Sequence, residues 1–565
     1  MPLSWGQAKD GPTGQVRRNP VAVARPLCHD SSMRIPRPNR PALIVVVLAL
    51  TAAVLSLGSS GLNVAEVFLR EDLRLGTRLM EVAITASFIA YGLGLVSGGT
   101  LVQRYGARLV LWVAVAGWSA STAFLTLAHD LPTLFTARFL MGLSHGAALP
   151  AAVHLLTRWV PERRRGLANG VVAFGGRFAQ AAATGLTGFL IIAFVPLSTP
   201  ATITADDISD DGMVMIHTVH AAQFSDIPQT SPRAIVLLRI GDRLPDSWPD
   251  SQDMADAINA VIRDPGALDD AARLTRNLTY DARAILDVPV SERSVAESER
   301  LNRLVVEAAI DHPIPKLHVH GWRPAFLSYA LLGVTVGAVV WLVARDRPAD
   351  RTPRSAVAVP WRALVTSRNQ WLYCGLHFFS NYGWVFLVLV TPWFLANRFS
   401  MLADDCDAVV TLALFVGAFA MLAGGVATDV VSLHLGTRWG RALPMGGLKL
   451  SCAALMAASA FLPEMWAFAA AVALAAACHD FGTPAAWSFA QDTGGEHAGV
   501  VFAWASLWGF LGAALAFEVA DKLIANFSID AAMLTGASAL AVSAACGLMA
   551  NAAAPLIDDI ESKDD

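Results

Sequence analysis

Apolar runs of about twenty residues alternate with short charged connectors along the chain. A helix of about that length spans the hydrocarbon core of a bilayer. The pattern therefore predicts an all-α polytopic membrane protein with twelve transmembrane helices. The predicted spans are 42–64, 81–102, 108–128, 134–157, 166–195, 324–344, 371–395, 408–429, 441–462, 465–489, 499–520 and 530–551.

The composition agrees with this pattern and excludes several classes of protein. Hydrophobic residues make up 55% of the chain and charged residues 16%, whereas soluble domains carry about 25% charged residues. The net charge of −4 gives no nucleic-acid-binding footprint. The six cysteines form no Cys-x-x-Cys pair, so neither a disulfide framework nor a metal site is expected, and no cofactor is predicted.

The arginines predict the orientation of the chain. An even number of spans places both termini on one side, and arginines mark the cytoplasmic connectors. Those connectors carry Arg104, Arg108, Arg158, Arg163, Arg164, Arg165, Arg345, Arg347, Arg351, Arg354, Arg438 and Arg441. Both termini are therefore expected in the cytoplasm of a cell (inner or plasma) membrane protein. A basic disordered tail (1–41), a linker (346–370) and an acidic tail (552–565) are expected on the same side.

A hydrophilic insertion, 196–320, separates the fifth and sixth predicted spans on the extracytoplasmic side. Strand-like runs precede helix-like stretches, and the length suffices for a small α/β domain. A disordered loop is the alternative. The insertion is either structural or acts in substrate capture or partner docking. His217, His220, His318 and His320 lack the tight spacing of a metal site.

The two halves of the chain repeat one loop motif. The N-terminal half comprises 42–195 and 321–345, and the C-terminal half comprises 371–551. The loop after the second span carries Gly99, Gln103, Arg104, Gly106 and Arg108, and the loop after the eighth carries Gly425, Asp429, Gly436, Arg438, Gly440 and Arg441. Small residues let helices approach closely. The polar residues Arg104, Arg108, Asp429, Arg438 and Arg441 are predicted to form a latch that one conformation makes and another breaks.

Both loops resemble the Gly-x-x-x-Asp-Arg-x-Gly-x-Arg signature of the major facilitator superfamily, although Gln103 replaces the aspartate in the first copy. Within it, the chain resembles the anion:cation symporter family. The motifs that carry this resemblance are Arg138-Phe-Leu-Met-Gly142, Trp159-Val-Pro161, Gly321-Trp322-Arg323, Arg345-Asp346-Arg347-Pro348, Ser380-Asn381-Tyr382-Gly383-Trp384 and Pro484-Ala-Ala-Trp487. The resemblance implies two six-helix bundles and alternating access to a midplane site.

Several positions depart from that family's pattern. Gly58-Ser59-Ser60 stands where the family carries an Asp-Arg pair implicated in proton coupling and anion binding, and His145 stands where it carries glutamate. Ser506 and Phe510 stand where asparagines are common. Proton coupling is therefore expected to use other residues, and uniport or exchange stays open.

Ionisable residues within predicted spans are costly and mark functional sites. His145, Arg177, His479 and Asp480 lie 12 or 13 residues from Arg158, Arg165 or Asp492, about 18–20 Å along a helix. We expect Arg177 to bind an anionic group, with an interhelical bond as its alternative. Arg138 is either a second binding residue or a structural one.

The proton-coupling candidates are His145, His479 and Asp480. His145 is either a proton carrier or a packing histidine. Asp480 with His479 forms either a proton relay or a structural counter-charge. Asn381 and Tyr382 are expected to line the site from the C-terminal half.

The sequence thus predicts a secondary transporter, by expectation a monomer, that moves a small organic anion with protons. No nucleotide-binding loop or hydrolase motif occurs, so the chain is not expected to be an enzyme. The alternative is a transporter-derived receptor or sensor that binds a ligand through its outer insertion.

Overall fold

The computed structural model describes residues 40–194, 320–346, 359–399 and 403–556. Several predictions fall mainly or wholly outside these ranges. They are the N-terminal tail, the α/β insertion with His217, His220 and His318, and the end of the acidic tail. Residues 347–358 of the linker also lie outside these ranges.

The described residues form long helices, because the predicted apolar runs satisfy their backbone hydrogen bonds internally. In the N-terminal half these helices are α1 (Arg40–Leu73), α2 (Thr77–Tyr105), α3 (Ala107–Leu125), α4 (Leu131–Trp159), α5 (Arg165–Phe194) and α6 (Trp322–Val343). After the short α7 (Trp361–Thr366), the C-terminal half comprises α8 (Arg368–Val385), α9 (Thr391–Phe399), α10 (Ala403–Ala442), α11 (Leu448–Ser459), α12 (Met465–Phe481), α13 (Thr483–Gly494), α14 (Ala498–Asn526) and α15 (Ile529–Met549). Two π-helical segments, Phe386–Val390 and Leu443–Gly447, join α8 to α9 and α10 to α11.

Within the described ranges, nine segments are long and apolar enough to cross a membrane. Two of them, Ala408–Ser459 and Met465–Ile524, contain 52 and 60 residues. Each is more than twice the length that one crossing needs, because close helix junctions merge neighbouring predicted spans. The number of twelve crossings stays a prediction.

Local sequence explains where individual helices begin and turn. The carboxylate of Asp130 accepts from the Thr133 backbone N–H at 3.0 Å and caps α4. These bonds from Thr133 hold the pKa of the Asp130 carboxyl below its usual value. Gly106 and Gly436, the glycines of the repeated loop motif, have φ of 86° and 78°. Glycine adopts this region without steric cost, which permits the sharp turns.

Each half has its own apolar core. In the N-terminal half, Trp118, Trp322 and Phe326 are fully buried among the helices α1 to α6. In the C-terminal half, Phe386, Phe394 and Phe468 form the corresponding centre. The halves meet where α5 packs on α10 and α13, and where α2 and α4 pack on α14.

The start of α6 is anchored to the rest of the N-terminal half. The Asp72 carboxylate accepts from Trp322 Nε1 at 2.9 Å and from the Arg323 guanidinium at 2.8 Å. Arg323 also donates to the carbonyls of Thr126 and Ala128. These contacts give the Gly321-Trp322-Arg323 motif a structural role at the point where the chain returns from the insertion.

Candidate functional site

Arg177 of α5 and Asp480 of α12 form an ion pair between the two halves. The guanidinium NH2 donates to Asp480 Oδ1 at 2.8 Å, and the side chains are 14% and 0% exposed. Arg177 Nε and Asp480 Oδ2 are buried without a hydrogen-bond partner among the described residues. Leaving buried polar atoms unpaired is costly. The Arg177 N–H can still donate to a ligand, and the Asp480 oxygen can still accept a proton.

Two more side chains support Arg177. Its NH1 donates to Gln180 Oε1 at 2.8 Å, and its guanidinium lies over the Trp384 ring at 4.3 Å. Trp384 also packs on the His479 imidazole, with ring centroids 4.6 Å apart. A cation against an indole face is stabilised without losing its outer N–H donors. The arrangement fixes the orientation of a cation that could bind a carboxylate.

Ser380 and Lys449 also belong to this cluster, although the sequence analysis did not assign them to the site. Asp480 Oδ1 lies 3.1 Å from His479 Nδ1, and His479 Nε2 lies 2.9 Å from Ser380 Oγ. Lys449 of α11 donates from Nζ to Ser380 Oγ at 2.7 Å and is 3% exposed. The signal for Lys449 was present, because a lysine inside a predicted span meets the same criterion as Arg177.

Asn381 and Tyr382 directly follow Ser380 in the sequence, but their side chains contact other residues. The Asn381 amide donates to the carbonyl of His377 at 2.9 Å. The Tyr382 ring packs on Phe386 at 5.2 Å. Within the described residues, no hydrogen bond or ring contact connects either side chain to Arg177.

His145 belongs to a second polar cluster. Its Nδ1 lies 2.9 Å from Ser59 Oγ, and the Tyr91 ring meets its imidazole edge-on at 5.1 Å. Tyr91 in turn stacks on Phe510 of the other half at 4.2 Å. Three positions that depart from the family pattern, Ser59, His145 and Phe510, therefore lie together. No hydrogen bond or ring contact joins His145 to Arg177 in the described part of the chain.

Arg138 lies apart from both clusters and is only 4% exposed. Glu66 of α1 interacts electrostatically with its guanidinium. Its Nε and one terminal nitrogen are buried without a hydrogen-bond partner among the described residues. This environment is compatible with either of its predicted roles.

The predicted latch residues lie at one end of the bundle, near the ends of α2 and α4 and around the Gly436 turn within α10. This end carries the connector arginines and is called the arginine-rich end. Both oxygens of Asp429 accept, each at 2.8 Å, from the backbone N–H groups of Gly166 and Leu167 at the start of α5. A carboxylate is favourable there because these N–H groups have no partner within the helix. The contact joins the C-terminal half to the N-terminal half.

Arg441 and the unpredicted Asp492 extend this junction. Asp492 accepts from Arg441 Nε at 2.7 Å and from Arg165 NH1 at 2.5 Å. Arg158 pairs with Glu496, whose carbonyl accepts from Gln103 Nε2 at 2.9 Å. The halves are therefore closed against each other at the arginine-rich end.

The remaining latch candidates have contacts within their own halves. Arg108 donates to the carbonyl of Trp341 at 2.6 Å and lies 4.2 Å from the centre of its ring. Arg104 and Arg438 lie over the neighbouring rings of Tyr105 and Trp439. The structure thus groups Asp429 and Arg441 at the junction and places the other three elsewhere.

Gly417 on α10 packs against Asp480, so a larger residue at this position tests the packing of the site. A Cβ added there would lie 2.4 Å from Asp480 Oδ2, whereas one added at Gly185 would meet nothing within 4 Å. We expect Gly417→Ala to displace Asp480, to lower the unfolding free energy by about 1–3 kcal/mol, and to impair the function of the Arg177 pair. Thermal unfolding in detergent measures the first effect. Equal behaviour of Gly417→Ala and the control Gly185→Ala would contradict this packing.

The sequence model of the Major Facilitator Superfamily matches residues 48–203 and 317–517. The "Hexuronate transporter" of Bacillus subtilis is 28% identical over 151 residues, which cover 27% of this chain and 36% of that protein. The "D-galactonate transporter" of Escherichia coli is 28% identical, with 24% and 32% covered. The chain spans about a third of the length of these curated relatives.

Solved structures share the fold at low sequence identity. The Escherichia coli fucose:proton symporter FucP superposes with a TM-score of 0.55 at 11% identity, covering 89% of this chain and 98% of that one. The human organic anion transporter MFSD10 also gives 0.55 at 10% identity, with 90% and 100% covered. These likenesses establish the arrangement of helices alone.

Proposed function

Since the chain belongs to the major facilitator superfamily and is a multi-pass membrane protein, we propose that it is a secondary transporter that moves a small organic anion together with protons. The observation that carries this proposal is the buried Arg177–Asp480 pair between the two halves. A charged pair at this depth is costly and marks a site.

Arg177 is the proposed anion-binding residue. Its planar guanidinium fits a carboxylate, sulfonate or phosphate through paired N–H donors. In the structure Asp480 holds this cation, and Arg177 Nε has no partner among the described residues. We infer that Asp480 stands in for the substrate's acidic group and that substrate binding displaces it.

Proton coupling follows from this displacement. A buried carboxylate that loses its cation is strongly disfavoured and becomes neutral by taking up a proton. Binding of the anion to Arg177 is therefore linked to protonation of Asp480, with His479 adjacent to it. His145 stays a second candidate for coupling because its imidazole shares a hydrogen bond with Ser59 near the inter-half contact of Tyr91 and Phe510.

Alternating access is proposed to occur by rocking of the halves around Arg177. The Asp429 and Asp492 contacts close the arginine-rich end in this structure, and their separation would open it. Arg138 is retained as a second, separate candidate for substrate contact. We further propose that this end and both termini face the cytoplasm, that 196–320 lies outside, and that the protein is a monomer.

The relatives suggest which anions to test first, since they are named for hexuronate and D-galactonate. Purified protein in liposomes should accumulate such a sugar acid faster when an inward proton gradient is imposed. Asp480→Asn should abolish the dependence on the gradient, because asparagine takes no proton. Asp530→Asn, which removes a carboxylate from an exposed pair with Arg398, is the matched control and should behave as the parent.

Two outcomes would redirect the proposal. Gradient-dependent uptake that persists in Asp480→Asn would move the proton to another residue, with His145 tested next. Ligand binding without flux of any tested anion would instead support the receptor or sensor alternative.

A further inference from the structure

Asp480 has no direct route to water in the structure, because its side chain is 0% exposed. If its carboxylate is to gain and lose a proton, neighbouring groups must carry that proton. The groups around Asp480 form a continuous chain of hydrogen bonds that runs away from Arg177 and ends at a lysine. This inference rests on the proposed function.

This chain of hydrogen bonds connects residues of three helices of the C-terminal half, α12, α8 and α11. It runs from Asp480 Oδ1 to His479 Nδ1 at 3.1 Å, from His479 Nε2 to Ser380 Oγ at 2.9 Å, and from Ser380 Oγ to Lys449 Nζ at 2.7 Å. His479 and Lys449 are 8% and 3% exposed. The whole path is therefore shielded from solvent.

The chemistry of the donors sets a single direction along this chain. Lysine nitrogen only donates here, so the Ser380 oxygen accepts from Lys449 and its own hydrogen is free to point at His479 Nε2. His479 Nε2 is then the acceptor of the imidazole, and the proton of the ring lies on Nδ1. That N–H donates to the Asp480 carboxylate. Each link therefore has its hydrogen on the Lys449 side.

We propose that Lys449 exchanges the coupling proton with Asp480 through Ser380 and His479. Lys449 gives a proton to Ser380 Oγ, the Ser380 hydroxyl proton passes to His479 Nε2, and the Nδ1 proton passes to Asp480. The products are a neutral lysine amine, a neutral aspartic acid and the opposite tautomer of His479, so no atom or charge is lost. Arg177 is thereby released for the anion, and Lys449 is recharged from water.

The surrounding charges favour this transfer. Lys449 interacts electrostatically with Arg177 of α5, Asp480 of α12 and Cys452 of its own helix, and with His377 of α8. Two cations thus share one carboxylate in a buried cluster. Moving a proton from Lys449 to Asp480 leaves Arg177 as the single charge, which an incoming anion then neutralises.

Lys449 is at the end of the relay that lies nearer to the arginine-rich end of the bundle. Lys449 lies eight residues from Arg441, and Asp480 lies twelve from Asp492, so these residues are about 12 Å and 18 Å from the arginine-rich end by helical rise. Lys449 is therefore the member nearer to the arginine-rich end, and the reverse transfers would release the proton there when that end opens.

Lys449→Arg tests the relay because arginine keeps the charge and the donor but does not release a proton. Two fluxes are compared in liposomes: net uptake of the sugar acid driven by a proton gradient, and counterflow exchange of that acid without a gradient. Lys449→Arg should lower gradient-driven uptake at least tenfold and leave counterflow within about twofold, since exchange can reload Arg177 while Asp480 stays protonated.

Ser380→Ala provides a second variant should Lys449→Arg fold poorly, and the same split between the two fluxes is expected. Ser459→Ala, at a buried serine at the far end of α11 whose hydroxyl donates to the Met456 carbonyl, should alter neither flux. A Lys449→Arg protein with normal gradient-driven uptake, or with both fluxes equally reduced, would overturn the relay. Absence of any gradient-driven uptake by the parent would instead refute the proposed function.

Discussion

Replacing Arg177 by glutamine is expected to eliminate anion uptake and to destabilise the protein. Asp480 is fully buried, and Arg177 donates a hydrogen bond directly to its carboxylate. Removing one partner of a buried ion pair costs about 3–5 kcal/mol. Thermal unfolding in detergent and uptake of a sugar acid into liposomes measure the two effects separately.

The double variant Arg177→Gln with Asp480→Asn separates binding from stability. Neutral amides can hydrogen-bond to each other, so most of the lost stability should return because no charge is left uncompensated. Uptake should stay absent, since the cation that binds the anion is missing. A double variant that regains transport along with stability would show that the pair is structural, as the alternative interpretation of Arg177 holds.

Asp492→Asn is expected to open the arginine-rich end. Asp492 is 3% exposed and compensates both Arg165 of the N-terminal half and Arg441 of the C-terminal half. Its neutralisation removes about 3–5 kcal/mol from the closed arrangement if the arginines stay buried. A shift of that size changes a two-state equilibrium more than a hundredfold, and transport should fall because the closed state is depopulated.

Spin labels at exposed positions on opposite halves measure this opening. We suggest Arg163→Cys and Arg438→Cys in a background without the native cysteines. Asp492→Asn should move the main distance population to longer values, whereas the control Glu518→Gln, from an exposed pair with Lys522, should not. Unchanged distances in Asp492→Asn would show that other contacts hold the halves together.

The sequence was sufficient for the fold family and for part of the site. Apolar runs, arginine-rich connectors and repeated glycine motifs predicted a helical facilitator, which the family match confirms. Depth along the predicted spans placed Arg177, His479 and Asp480 at one level, and the structure brings these three together. The position of a residue along a predicted span gave its depth correctly because a helix has a fixed rise per residue.

Depth alone did not predict which helix faces meet. His145 shares the predicted level of Arg177, yet its hydrogen bond is to Ser59. Rotation about each helix axis decides such contacts, and a mostly apolar span carries little signal about rotation. Asp492 belongs to a motif that resembles the family, but the repeated loop motif does not include it, so the sequence did not assign it to the latch.

For Ser59, His145 and Phe510, the sequence positions do not show that the three side chains lie together. Each departs from the family pattern by itself, and only the structure shows that they belong to one cluster with Tyr91. Loss of charge at the first two sites coincides with a separate charged network around Arg177 and Lys449. This supports the proposal that coupling in this chain uses the C-terminal half.

The central claim is that an anion and Asp480 compete for Arg177. Calorimetric titration of the purified protein with a sugar acid, in buffers of different ionisation enthalpy, counts the protons exchanged on binding. The account predicts uptake of about one proton per anion by the parent and none by Asp480→Asn. Binding of the anion by the parent without any uptake of protons would contradict it.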